Sequence, residues 1–281
     1  MNRPLAPRRR DVVAVMPAAG FGRRLGALPW SKEVFPIPTL HGDGGGSPIG
    51  LACDSLLRAF RAADAERVFV VIRDGKWDIP GVLLDGRGWE LDLAYLVVPD
   101  SEGLADTVSR TWPFIRGATV LFGLPDILLD VSNPFESMLE ALEEKSADVA
   151  LGLFPAHRPR AADMVDLDES GRVRAVLPKP RHTELEFAWI LAAWKPSFSE
   201  FLHERSRVES FDRRSRSREG ASEVYLGDVV HAAIGQGLTV VGVPFRSGRY
   251  LDIGTPEDLA DALRTGFPGR AGGSRNDPRP R

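Results

Sequence analysis

The sequence predicts an α/β fold: a mostly parallel sheet flanked by helices, with a small antiparallel insert. Three observations predict it. Short apolar runs alternate with helical patterns through residues 12–154, the β-α-β-α order that builds a parallel sheet with helices on both faces. The first run leads into a turn with two glycines, and polar residues follow later runs, at strand ends where open α/β sheets bind ligands. After residue 160 the alternation stops, and three strand patterns gather around Glu169-Ser170-Gly171.

In chain order, strands are expected at 12–15, 68–72, 93–98, 119–122 and 149–154, with helices at 55–63 and 134–145. The antiparallel insert takes 164–167, 171–177 and 187–193. A basic, Ser-rich loop at 213–218 precedes a helix at 222–235. A strand at 238–243 and a helix at 256–264, with Thr255 as its N-cap, complete the chain. Residues 1–10 and 268–281 are rich in Pro, Arg and Gly and read as a disordered arm and tail around a single domain at 11–267. The glycines at 42, 44, 45 and 46 read as a flexible loop.

Composition narrows the function classes. The 281 residues, 43% hydrophobic and 27% charged, suffice for one large domain with a sizeable core. A net charge of -3 gives nucleic acid no global electrostatic attraction. The single cysteine, Cys53, excludes an internal disulfide and a Cys-rich metal site. No apolar stretch approaches membrane-spanning length, and the basic arm leads into no secretory h-region. The expected home is the reducing cytoplasm.

The strongest motif runs from Val12 to Leu25, Val-Val-Ala-Val-Met-Pro-Ala-Ala-Gly-Phe-Gly-Arg-Arg-Leu. Gly20 and Gly22 let the backbone approach phosphate oxygens with its N–H groups, and backbone groups near Ala18 and Ala19 can read the base. Arg24, with Arg23 beside it, can hold a triphosphate through its guanidinium, and Lys32 adds a second cation. The dinucleotide fingerprint fails, because Leu25 stands where a third glycine is required and Pro29 opposes a helix. The Walker A pattern is absent. Asp126 follows one strand and Asp252 another. Two such aspartates suit a Mg²⁺ ion that bridges phosphates and keeps several waters, provided the fold brings them together. The five histidines are scattered and receive no role.

These stretches resemble the signature of sugar-nucleotide pyrophosphorylases, Gly-x-Gly-x-Arg-Leu followed by a Lys-x-x-x-Pro element. The similarity is to the uridylyltransferases and thymidylyltransferases that act on glucose 1-phosphate, and it covers roughly residues 12–264. Leu124-Pro125-Asp126 and Leu251-Asp252-Ile253-Gly254-Thr255-Pro256 resemble the family's two metal elements. The resemblance implies a Rossmann-like nucleotidyltransferase fold, Mg²⁺ on Asp126 and Asp252, and Arg24 and Lys32 on the triphosphate. It implies that Lys179, in Pro178-Lys179-Pro180, holds the phosphate of the acceptor, and that Gly103 approaches the base. Pro178 replaces a glutamate that meets sugar hydroxyls in relatives, and Val98 replaces a glutamine that reads the pyrimidine. The Arg-to-Lys spacing is two residues shorter than the usual pattern. The expected reaction joins UTP or TTP to a sugar 1-phosphate, with homo-oligomerisation open and no nucleic-acid or membrane partner. Two alternatives stand beside it: a cytidylyltransferase-type enzyme on a non-sugar phosphate or phosphonate, and a catalytically weak regulatory homologue.

Overall fold

A computed structural model describes residues 12–38, 49–99, 101–216 and 225–267. The Gly-rich loop and the two expected tails lie outside the described residues. The strands are β1 (Val12–Pro17), β2 (Pro36–Pro38), β3 (Ile49–Leu51), β4 (Val68–Arg73), β5 (Leu93–Val98), β6 (Thr119–Gly123), β7 (Ile127–Asp130), β8 (Val149–Pro155), β9 (Met164–Leu167), β10 (Val173–Leu177), β11 (Phe187–Trp194), β12 (Val240–Pro244) and β13 (Arg249–Asp252). The helices are α1 (Asp54–Ala62), α2 (Asp78–Leu83), α3 (Leu104–Ser109), α4 (Trp112–Ile115), α5 (Pro134–Glu144), α6 (Pro196–Arg216), α7 (Leu226–Gly235) and α8 (Pro256–Thr265).

The main sheet runs in the order β10-β9-β11-β6-β1-β4-β5, with β8 also paired to β11 and β12 to β8. β1 is parallel to β4 and β6, and β4 is parallel to β5. β1 is wholly buried, as a central parallel strand covered on both faces must be. One face packs on α1 and α5, where Phe60 and Phe135 stack at 5.2 Å. The other packs on α3, α6 and α7 through Val108, Phe198 and Val229.

The antiparallel strands expected after residue 160 are present and join the main sheet. β11 has all eight residues buried and joins the two halves of the sheet, antiparallel to β6 and β8. A register shift between Trp189 and Leu191 accompanies its switch of neighbours, from β9 at Ala188 to β6 at Leu191. Residues 213–216 of the expected basic loop belong instead to α6, since neither Gly nor Pro interrupts the chain between Pro196 and Gly220. α7 starts at Leu226, and the three residues expected before Tyr225 are outside the described set. Thr255 does cap α8, accepting a hydrogen bond from the Asp258 backbone N–H at 3.2 Å.

Two small antiparallel pairs complete the molecule, β2 with β3 and β7 with β13. They share a third core with α8, containing Ile37, Leu128, Ile253 and Leu259. In the main sheet, Trp194 is fully buried and donates from Nε1 to Ser199 Oγ at 2.9 Å. Replacing it by Ala removes ring and bond together, so urea denaturation should show a loss of about 3–5 kcal/mol. A loss below about 1 kcal/mol would contradict this packing.

Candidate active site

The turn after β1 is fixed by the sheet. The Ala18 backbone N–H donates to the Val71 carbonyl at 2.7 Å, carrying the β1 ladder past Pro17, and Ala18 and Ala19 are both buried. The chain then emerges at Gly20, and Gly22 turns it with φ +62°, a conformation that favours glycine. A single 3-10 turn follows, Arg23–Leu25. The two arginines part there. Arg23 lies over the exposed Phe21 ring at 4.8 Å, which Arg73 also meets at 4.4 Å. Arg24 reaches the β13–α8 junction, where a Cβ on Gly254 would stand 2.6 Å from Arg24 Nη2 and 2.7 Å from Asp252 Oδ1.

Segment 31–35 is pinned at consecutive residues. Ser31 donates from its backbone N–H and its hydroxyl to Asp78, at 2.6 and 2.9 Å. Glu33 turns inward and pairs with Lys76 at 2.6 Å; both side chains are buried. Between them Lys32, its side chain largely buried, forms an ion pair with Asp126.

The β7–β13 ladder joins the two aspartates. Asp252 sits opposite Ile127, and the Ile253 backbone N–H donates to the Asp126 carbonyl at 3.1 Å. Asp252 Oδ1 accepts the Gly254 backbone N–H at 2.7 Å. At the far end of the ladder, Arg249 grips the Asp130 carboxylate from Nε at 2.9 Å. Asp126, Asp252, Lys32 and Arg24 thus form one cluster, although two of its members lie near the N-terminus and one lies near the C-terminus.

Its electrostatics are strained. Burial, then the Asp126 charge, push the Asp252 carboxyl above its ordinary range, against the Gly254 N–H, Lys32 and Arg24. Burial pulls the Lys32 ammonium down, but the neighbouring carboxylates outweigh it and hold it above the usual value. Burial likewise raises Glu33, against its Lys76 partner. Among the described residues no group of three or more His, Cys, Asp or Glu side chains converges on one point. Two carboxylates match the one or two that Mg²⁺ takes when phosphates and water complete its shell, and do not make a protein-only zinc cage.

Lys179 belongs to a second cluster. It follows β10, has φ +42°, and places Nζ 4.1 Å from the centroid of the Tyr225 ring at the start of α7. Asp163 lies beside it, its carboxyl raised by burial and partly drawn back by Lys179. Gly103 opens α3 with φ +130°, and Val98 is buried at the end of β5, paired with Arg73. Sequence reading gave no role to Phe21, Arg73, Glu33, Lys76, Asp163 or Tyr225. The exposed Phe21 between glycines was the one visible hint among them.

A family model described as nucleotidyl transferase matches residues 15–266. The low-salt glycan biosynthesis nucleotidyltransferase Agl11 of Haloferax volcanii is 20% identical over 188 residues, 67% of this chain and 49% of that protein. The chain therefore spans about half the length of this curated relative. A Bacillus anthracis structure, assigned as a glucose-1-phosphate thymidylyltransferase and solved with a sucrose, superposes with a TM-score of 0.70 at 15% identity. The match covers 90% of this chain and 94% of that one, and it shows a shared fold.

The Glu33–Lys76 pair behind Lys32 gives a stability prediction. Glu33→Gln or Lys76→Met alone leaves one buried charge uncompensated and should cost about 3–5 kcal/mol. The double variant should recover most of that loss in a urea-unfolding double-mutant cycle. Additive single losses would show that the two charges do not depend on each other.

Proposed function

The chain belongs to the nucleotidyl transferase family, and from that premise we propose that it condenses a nucleoside triphosphate, UTP or TTP by preference, with a sugar 1-phosphate, releasing a nucleotide sugar and pyrophosphate. One observation carries the reading: Lys32, Arg24, Asp126 and Asp252 meet at the mouth of the Gly-rich turn. The relatives' names agree with it, one for glycan biosynthesis and one for thymidylyl transfer to glucose 1-phosphate. No helix among the described residues is long and apolar enough to cross a membrane, and we place the enzyme in the cytoplasm.

In this proposal the N–H groups of Gly20 and Gly22 face the triphosphate, with backbone groups near Ala19 and Gly103 on the base side; the Ala18 N–H is committed to the Val71 carbonyl. Arg24 and Lys32 hold the phosphates being cleaved, and Lys179 holds the acceptor phosphate. Asp126 and Asp252 hold Mg²⁺, which when bound draws negative charge from the phosphate oxygens. An acceptor phosphate oxygen attacks the α-phosphorus in line, and the bond to the β-phosphate bridging oxygen breaks. The attacking oxygen is already anionic, so no general base is required. The fixed cations stabilise charge where it develops, on the equatorial and bridging oxygens.

The direct test is Mg²⁺-dependent pyrophosphate release across a panel of triphosphates and sugar 1-phosphates. Turnover is expected with at least one pair, and none with any pair would refute the assignment. Arg24→Ala should lower kcat/KM for the triphosphate about 10²–10³-fold. Lys179→Ala should act mainly on the KM of the acceptor. The reverse partition would contradict the division of labour.

Base choice follows from Val98. A valine offers shape and apolar contact, and such contacts discriminate by about 10–200-fold. UTP and TTP should therefore both be used, with kcat/KM values within about 100-fold in competitive turnover. Exclusive use of one of them would show that another residue reads the base.

A further inference from the structure

The base side is mostly apolar. Ala19, Val71, Val98 and Ala105 belong to one buried apolar cluster, and Gly103 opens the helix that carries Ala105. One charged group stands at the edge of this surface. β4 and β5 are parallel, and their register pairs Val71 with Leu96 and Arg73 with Val98. Paired residues of a parallel ladder, and residues two apart on one strand, share a face of the sheet. Arg73 therefore leaves β4 on the face of Val71 and Val98, at the carboxyl end of the strands, where open α/β sheets bind ligands.

The Arg73 side chain is held in place but not completed. Its guanidinium carbon lies 4.4 Å from the centroid of Phe21, the exposed ring on the Gly-rich turn. Nη1 donates to the Asp74 carbonyl at 2.7 Å. The Asp74 carboxylate is turned to other partners, the Gly75 backbone N–H at 2.9 Å and the Trp77 indole N–H at 3.0 Å. Arg73 Nε is buried without a hydrogen-bond partner among the described residues. An unmet buried donor is destabilising, more so on a charged group. A guanidinium has donors alone to offer, so an acceptor atom of a ligand is what would complete it.

We propose that Arg73 donates to a carbonyl oxygen of the pyrimidine base and so reads the nucleotide that Val98 meets by shape alone. This rests on the base side assigned in the reaction proposed above. The sheet order favours the base over the phosphates. β6, which leads to Asp126, lies on one side of β1, and β4 and β5 lie on the other. Arg73 thus starts two strands, about 10 Å, from β6. The methyl group that separates thymine from uracil is left to apolar contact, so UTP and TTP stay close. Arg73 recognises one of the two carbonyl oxygens, O2 and O4, that both bases carry and adenine lacks.

The test uses the full chain and one sugar 1-phosphate with UTP, TTP, ATP, GTP, 2-thio-UTP and 4-thio-UTP. Sulfur accepts hydrogen bonds weakly, so each thio analogue removes one acceptor and keeps the ring. In the wild-type enzyme one of the two should lose about 10–100-fold in kcat/KM against UTP. Arg73→Met keeps an unbranched stem beside Phe21 and removes the donors. It should lower kcat/KM for UTP about 10–100-fold, leave the acceptor KM unchanged, and bring UTP level with the thio analogue that the wild type disfavours. Equal wild-type use of UTP and both thio analogues would overturn the proposal without any variant. So would an Arg73→Met loss that is the same for UTP and the disfavoured analogue, the mark of a phosphate contact or a structural role. Faster use of ATP or GTP than of UTP would overturn it as well. Each of these outcomes leaves pyrophosphate release by the wild type standing. Absence of turnover with every triphosphate would remove both readings.

Discussion

The short β7–β13 ladder is the constraint on which the candidate site depends. Asp126 and Asp252 are 126 positions apart in a chain of 281, and each sits in a local context that could equally be an ordinary turn or helix entry. Pairing Ile127 with Asp252 and Asp126 with Ile253 sets their backbones side by side. Two such carboxylates repel in a site of restricted solvation, as the raised Asp252 carboxyl records. The ladder holds them together against that repulsion because the apolar side chains of Leu128, Ile253 and Leu259 are buried beneath it. Lys32 and Arg24 then supply the compensating positive charge from the opposite wall.

That wall is held as firmly as the ladder. Lys32 stands between Ser31, tied to Asp78, and Glu33, tied to the buried Lys76. An ammonium on a flexible stem is a poor positioning device unless its backbone is immobilised. Here the residues on both sides are committed to partners more than forty positions away. The parallel sheet sets the entrance, since Ala18 continues the β1 ladder and Gly22 bends the chain where the sheet ends. The Lys179 cluster is a separate construction on β10 and α7.

Much of this was legible in the sequence because the main strands are uninterrupted apolar runs. The strands at 93–98 and 164–167 fall where the pattern places them, and Thr255 caps α8 for the reason its type and position suggest. β7 and β13 were not recognisable as a pair. Each is four residues long, and their register rests on contacts more than a hundred positions apart. The distinct courses of Arg23 and Arg24 were also hidden, because the left-handed turn at Gly22 decides them. Nor does any local pattern announce that Glu33 turns inward to Lys76 or that Asp163 lies against Gly227. The roles proposed for Lys179 and Gly103 come from the resemblance to a known family, since composition and periodicity suggest none.

The central claim is that Asp126 and Asp252 form one divalent-cation site completed by the triphosphate. Mn²⁺ titration followed by electron paramagnetic resonance, with a non-hydrolysable triphosphate analogue present, tests it most directly. The account predicts one Mn²⁺ bound per chain, with binding lost in Asp126→Asn and in Asp252→Asn alike. Full binding retained in either variant would show that the two carboxylates do not share an ion.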